Sequence, residues 1–184
     1  MAVITGTSGG NKIEGTSDPD IIDAGGGLDA VHAAGGDDIV AGGANRDNLY
    51  GDDGNDTLSG EGSNDKLYGG AGNDTLDGGG QDDRLYGGDG DDTIIGGDGD
   101  DVLYGDNAAD GNDSEGYHDV FLFDSADGND KVFDFEHGID QVQLTSGGSY
   151  SLSYTGSGNT VLTYGATTVT FYDEHLDASD ILVL

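Results

Sequence analysis

Residues 51–77 read GDDGNDTLS, GEGSNDKLY and GGAGNDTLD, three nonapeptides with Asp at the sixth place and Leu at the eighth. Carried outward, the same frame runs from Gly6 through Tyr104 as eleven nonapeptides without one insertion or deletion. The sixth place is Asn11 and then Asp20, Asp29, Asp38, Asp47, Asp56, Asp65, Asp74, Asp83, Asp92 and Asp101. The eighth is always aliphatic, from Ile13 and Ile22 to Ile94 and Leu103. A short fixed period marks a repeat architecture, in which each unit buries its apolar face only by stacking on its neighbours.

The spacing predicts an all-β chain. Each nonapeptide offers a Gly-rich six-residue turn and then a three-residue strand whose middle side chain is apolar. Alternation turns that side chain inward and leaves places seven and nine outside. Two nonapeptides make one turn of a coil, so successive strands fall in two opposed parallel sheets. A thin aliphatic core lies between them, and the Gly-rich turns stack along the two edges about 4.8 Å apart.

Composition says what such a chain lacks. Acidic residues number 38 against five Lys plus Arg, a formal charge of −33, and 37 residues are Gly. Self-repulsion and backbone entropy both oppose a compact state, so by composition the chain stays disordered unless a cation offsets the charge. Gly-rich turns can point several carbonyls into one gap, and calcium takes about six to eight oxygens from carbonyls and carboxylates. The position-six carboxylates are therefore expected to be calcium ligands. Turn propensity alone does not require Asp at one place of a nine-residue period. Nucleic acid and anionic membrane surfaces are poor partners for this charge. Cysteine is absent, so disulfides and thiolate metal sites are excluded. No apolar run reaches the length of a membrane span.

These repeats match GGxGxDxUx and resemble the hemolysin-type, or RTX (repeats-in-toxin), calcium-binding family, closely over 6–104 and loosely beyond. The resemblance implies a right-handed, calcium-stabilised parallel β-roll with several Ca2+ ions, each held between the GxD of one turn and the GGx of the turn eighteen residues on. On one edge it pairs Gly36 and Asp38 with Gly51, Gly54 and Asp56 with Gly69 and Gly70, and Gly72 and Asp74 with Gly87 and Gly88. Gly90 and Asp92 would meet Gly105 and Asp106. On the other edge Gly27 and Asp29 would meet Gly42 and Gly43. There the fourth place, normally Gly, is Asn45, Ser63 and Gln81 in three successive turns. Ser and Gln tolerate a positive φ poorly. Either the sites of Asp47, Asp65 and Asp83 are weakened, or the turns absorb a side chain at small cost.

A longer period overlies the first. Alternate repeats end in Tyr50, Tyr68, Tyr86 and Tyr104, which a β-roll places in one outer column, with Lys66 and Arg84 beside it. Three readings stay open for this face: a ladder that stiffens its own sheet, a platform for an extracellular polysaccharide, and a protein interface.

After Tyr104 the composition changes, and all five Phe lie beyond it. Residues 1–5 read as a leader, 6–104 as the roll and 105–118 as an acidic loop. Residues 119–184 read as degenerate repeats and capping strands, since solenoids need caps. The segments HDVFLF, GNDKVFDF and GIDQVQL keep Asp ahead of apolar residues. The end, DASDILVL, resembles the uncleaved signal read by type I secretion machinery in the same family. The amino end lacks the layout of a cleavable signal peptide. Secretion by the type I route is the expectation.

Enzyme signals are poor, and no activity is expected. GTSGG at 6–10 matches G-x-S-x-G but lies inside a repeat turn, whereas a nucleophile elbow needs a following helix. His32, His118, His137 and His175 have no paired-ligand spacing. Two functions remain. One is a stand-alone secreted calcium-binding protein, adhesive or polysaccharide-associated, which Met1 and the short leader favour. The other is the secretion and folding module of a larger extracellular enzyme or toxin.

Overall fold

A computed structural model of the chain describes residues 1–106, 116–172 and 174–184. Most of the segment read as an acidic loop, 107–115, lies outside the described residues. Among them the chain is all β, arranged as a parallel solenoid with two sheets.

One sheet stacks nine strands: Val3–Thr7, Ile21–Gly25, Ile39–Ala44, Thr57–Gly62, Thr75–Gly80, Thr93–Asp98, Val120–Phe123, Gln141–Leu144 and Ile181–Val183. The other begins at Lys12–Glu14 and continues through Ala30–His32, Asn48–Asp53, Lys66–Ala71, Arg84–Asp89, Val102–Tyr104 and Asn129–Phe133. It ends in Thr167–Phe171, Thr160–Tyr164 and Tyr150–Tyr154, the last two joined antiparallel as a hairpin. Within the repeats the register steps by eighteen residues, as in Leu49↔Leu67 and Leu67↔Leu85. Val3–Thr7 pairs with Ile21–Gly25, so the stretch read as a leader carries the first rung.

The strands are longer than the spacing predicts. Lys66–Ala71 and its neighbours run six residues, from place seven of one repeat to place three of the next. The ladder continues through the GGx segment because those residues also stack on their counterparts, as in Gly70↔Gly88. Only the GxD segment turns.

Alternation then fixes what faces inward: the Asp at six, the aliphatic at eight and the Gly at one. The eighth-place residues from Ile22 to Leu103 are 0–1% exposed. At the carboxyl end the core widens into Phe121, Phe123, Phe135 and Phe171, with Phe135 edge-on to Phe171.

On the outer face of the second sheet the predicted tyrosine column is present and longer than expected. His32, Tyr50, Tyr68, Tyr86, Tyr104, Phe133 and Tyr172 form one continuous stack, with centroids 4.3–5.1 Å apart. The spacing follows from the strand separation. Each inner ring has both faces covered by its neighbours, so an inner ring offers no open face to stack on a sugar. Such a column stiffens its own sheet as a ladder. Tyr68→Ala, which removes two ring pairs, should cost the calcium-loaded fold about 1–3 kcal/mol. Tyr68→Phe should melt within ~0.5 kcal/mol of wild type, and paired thermal denaturations check both.

Candidate calcium sites between the turns

The chemistry of the roll lies in the way each position-six carboxylate divides its two oxygens. On the first edge the backbone N–H of Asp38 donates to Oδ1 of Asp56 at 2.8 Å, that of Asp56 to Asp74 at 2.7 Å and that of Asp74 to Asp92 at 2.7 Å. On the second edge Asp47 donates to Asp65 at 2.7 Å, Asp65 to Asp83 at 2.7 Å and Asp83 to Asp101 at 2.8 Å. One oxygen of every carboxylate thus ties its turn to the turn before. The other, Oδ2, is buried without a hydrogen-bond partner in Asp29, Asp38, Asp47, Asp56, Asp65, Asp74, Asp83, Asp92 and Asp101.

A buried, unpaired oxyanion is costly unless a proton or a cation compensates it. Burial pushes the carboxyls of Asp38, Asp47, Asp56, Asp65, Asp74, Asp83, Asp92 and Asp101 up, and in all of these but Asp74 neighbouring carboxylates add to the effect. Asp47 and Asp74 rise to about 6, Asp56, Asp65 and Asp101 to about 7, Asp83 to about 8 and Asp92 to about 9.

Each Oδ2 opens onto a space that only glycine leaves free. A Cβ on Gly78 would lie 2.5 Å from Oδ2 of Asp83 and 2.6 Å from the carbonyl oxygen of Gly96. Gly51, Gly69 and Gly87 bring Asp56, Asp74 and Asp92 in the same way beside the carbonyls of Gly69, Gly87 and Gly105. The structure therefore joins the Asp of one GxD to the first carbonyl of the next GGx, as the family pairing implies. Carboxylate and carbonyl oxygens suit a hard cation such as calcium. Among the described residues no three His, Cys, Asp or Glu side chains form one group able to hold a metal. That accords with carboxylates standing in single file, with carbonyls completing each set. The residues fit calcium. Asp56 with Gly69, Asp74 with Gly87, Asp92 with Gly105, Asp65 with Gly78 and Asp83 with Gly96 would hold it.

Two placements differ from the sequence reading, and a third meets one of its two alternatives. Asp20 has donors on both oxygens: Ala2 N–H reaches Oδ1 at 2.6 Å, and Thr16 reaches Oδ2 through its N–H at 2.8 Å and its hydroxyl at 2.9 Å. It closes the first turn without needing an ion. The second edge keeps its geometry, because Asn45, Ser63 and Gln81 adopt the left-handed backbone at φ 78, 109 and 75°. The gaps at Asp65 and Asp83 match those of the first edge. Buried Ala24 and Ala33 stand instead at place one in the turns of Asp29 and Asp38. Their methyl groups lie where Gly51 and Gly78 leave room, so these two gaps are the narrow ones.

Sequence reasoning also left three ladder members out of the site. Asp92 donates its N–H to Asp119, Asp101 to Asp130 and Asp119 to Asp140. Asp119 opens onto Gly105 as Asp92 does onto Gly87, and Oδ2 of Asp130 is buried and unpartnered. Asp140 ends the ladder, accepting Glu136 N–H on its second oxygen at 2.8 Å. The signal was the Asp-x-apolar spacing of 119–121, 130–132 and 140–142. It was hidden by spacings of 27, 29 and 21 residues instead of eighteen.

The raised carboxyls fix the sign of the pH response. A group raised in the folded state contributes stability below its unfolded value, near ~4, and loses it as pH climbs through about 6–9. In chelator the protein should gain β-structure and melting temperature on acidification from alkaline pH to pH ~4.5. Apparent calcium affinity should fall over the same titration, because each ligand must shed a proton. Asp74→Asn keeps the acceptor for Asp56 N–H and removes the charge. It should raise the melting temperature in chelator at pH ~8 and shrink the further gain on adding calcium, as calorimetry in both media reads.

No curated protein matches the chain significantly. Among solved structures, the extracellular lipase of Serratia marcescens aligns at 19% identity and a TM-score of 0.41, over 99% of this chain and 40% of the lipase. A subunit of the Azotobacter vinelandii mannuronan C5-epimerase aligns at 20% identity and a TM-score of 0.29, over 96% of this chain and 80% of that one. The chain thus spans about two fifths of the lipase's length. The RTX calcium-binding nonapeptide repeat matches residues 5–40, 41–76 and 77–114. With that match across more than half its length, and with the ladder of buried carboxylates described above, the chain belongs to the RTX calcium-binding repeat family.

Proposed function

We propose that this chain is a secreted protein that calcium folds after export. The observation that carries the reading is the run of buried position-six carboxylates whose second oxygen has no partner. Without a divalent ion their charge opposes the only core the repeats have, one aliphatic per nonapeptide. At the low free calcium of a cytosol the repeats stay open and threadable. At extracellular calcium they close. Family membership supports the localisation, since such repeats are typical of secreted bacterial proteins.

A second reading is the folding module of a larger extracellular enzyme. Val3–Thr7 pairs on one side only, and Val3 is 75% exposed. An edge strand of this kind readily takes a partner.

Far-UV circular dichroism during a calcium titration tests the folding claim. Disorder should give way to β-structure at roughly 10⁻⁴–10⁻³ M calcium, and identical spectra in chelator and in millimolar calcium would reject it. The carboxyl end offers a second test. Ile181–Val183 is the outermost strand of its sheet, paired to Gln141–Leu144, with Leu184 61% exposed. Deleting 181–184 should trap the protein in the producing cell if the end is a transporter address. If it is only a capping strand, the truncated protein leaves the cell and melts at lower temperature.

A further inference from the structure

The two edges of the roll are not equivalent. Place five on the first edge is Asp37, Asn55, Asn73 and Asp91, whose side-chain oxygens accept backbone N–H groups from the next turn, as in Asn73 to Asn55 at 2.8 Å. On the second edge Asp82 and Asp100 accept such bonds at 3.2 and 3.0 Å, whereas among the described residues the side chains of Leu28, Arg46 and Asn64, the three turns before them, make none. Beside them, Asn45, Ser63 and Gln81 occupy place four with positive φ. At the equivalent glycines of the first edge, Gly54, Gly72 and Gly90, a Cβ would run into the carbonyl of the same place one turn earlier. Three side chains are thus held in successive turns against backbone strain, and strain of this kind gathers at functional positions.

These residues line one open groove, formed by Leu28, Asn45, Arg46, Ser63, Asn64 and Gln81, with no carboxylate among them. It adjoins a second cleft that shares Arg46 and Asn64 and adds Lys66 and Arg84, register partners on adjacent strands. Three of the chain's five cations meet here. Although acidic residues number 38, among the described residues Arg46, Lys66 and Arg84 enter no ion pair. Asp65, Asp82, Asp83 and Asp100 also line the second cleft, so an anion would seat where the carboxylate-free first groove meets Arg46, with the charge of Asp65 and Asp83 taken up by calcium in their own gaps.

We infer that the second edge is a binding groove for an anionic polysaccharide laid along the stacked turns. Its acid groups pair with Arg46, Lys66 and Arg84, and its hydroxyls bond to Ser63, Asn64, Gln81 and Asn45. Amide and hydroxyl side chains at consecutive rungs match a hydroxyl-rich polymer better than an acidic peptide, whose backbone would ask for a strand edge or apolar pockets. The groove replaces the tyrosine column as the ligand face, because the rings already cover one another. It rests on calcium-driven folding, since the rungs align only in the folded roll, and the bound ions offset the field that would repel a polyanion.

The test uses the full chain in millimolar calcium, its fold verified by circular dichroism in the same samples. Isothermal titration compares dextran sulfate, uncharged dextran of equal length and polyglutamate. Dextran sulfate should bind, with affinity falling as salt rises, and the uncharged dextran should not. Arg46→Gln/Lys66→Gln/Arg84→Gln should weaken binding by roughly tenfold. Asn45→Gly/Ser63→Gly/Gln81→Gly should melt higher than wild type, since the strain is relieved, yet bind severalfold more weakly. Folded protein that binds no dextran sulfate, binds polyglutamate equally well, or keeps full affinity in the glycine variant overturns the proposal. A chain that calcium does not fold at all overturns the folding reading instead.

Discussion

Everything in this molecule depends on how an aspartate with two oxygens is used when it is buried between two turns. Oδ1 takes the backbone N–H of the preceding turn, at 2.6–3.0 Å along both edges. That bond sets the rise of the coil and satisfies a donor that would otherwise be lost inside. It also turns Oδ2 toward the space beside a glycine, where no protein donor reaches. The same geometry that builds the roll therefore makes it unstable as an anion and stable as a calcium complex. Structure and ligand requirement are one property, which is why the ladder ends where it does. Asp20 and Asp140, at the two ends of the first edge, have protein donors on both oxygens, and the ion-demanding gaps lie between them.

Glycine serves two separate ends in this arrangement. At place one it is needed for space, because a methyl group would fill the gap that the carboxylate and the next carbonyl share. At place four it is needed for the left-handed turn, which other residues adopt only at a cost. The distinction explains why substitution has different meanings at the two places. Ala24 and Ala33 narrow a gap, while place four of their turns keeps glycine, Gly27 and Gly36. Asn45, Ser63 and Gln81 strain the turn while leaving the gap open.

The outer faces follow from the 4.8 Å rung rather than from turn chemistry. A residue repeated every eighteen places is stacked on itself, so tyrosine repeated in that way becomes a sheet of rings in face-to-face contact. The same periodicity places Lys66 directly beside Arg84. Neither effect needs a pairwise preference strong enough to form alone; the backbone ladder imposes the proximity.

The sequence by itself determined the architecture, the register and the identity of the buried carboxylates. A nine-residue period with Asp and an aliphatic two places apart admits one way to bury both, and charge of −33 names a cation as the missing partner. It also contained the Asp-x-apolar signature at 119–121, 130–132 and 140–142, although irregular spacing disguised their membership of the ladder. Only the tertiary structure decided how the strands extend through GGx, because that depends on carbonyls of a turn eighteen residues away. It alone separated Asp20 from its successors, since Thr16 and Ala2 supply donors that the repeat pattern does not encode. It alone showed the tyrosine rings covering one another as well. Whether an aromatic ring is open or covered depends on what stands 4.7 Å above it, and a linear pattern carries no record of that distance until the chain has coiled.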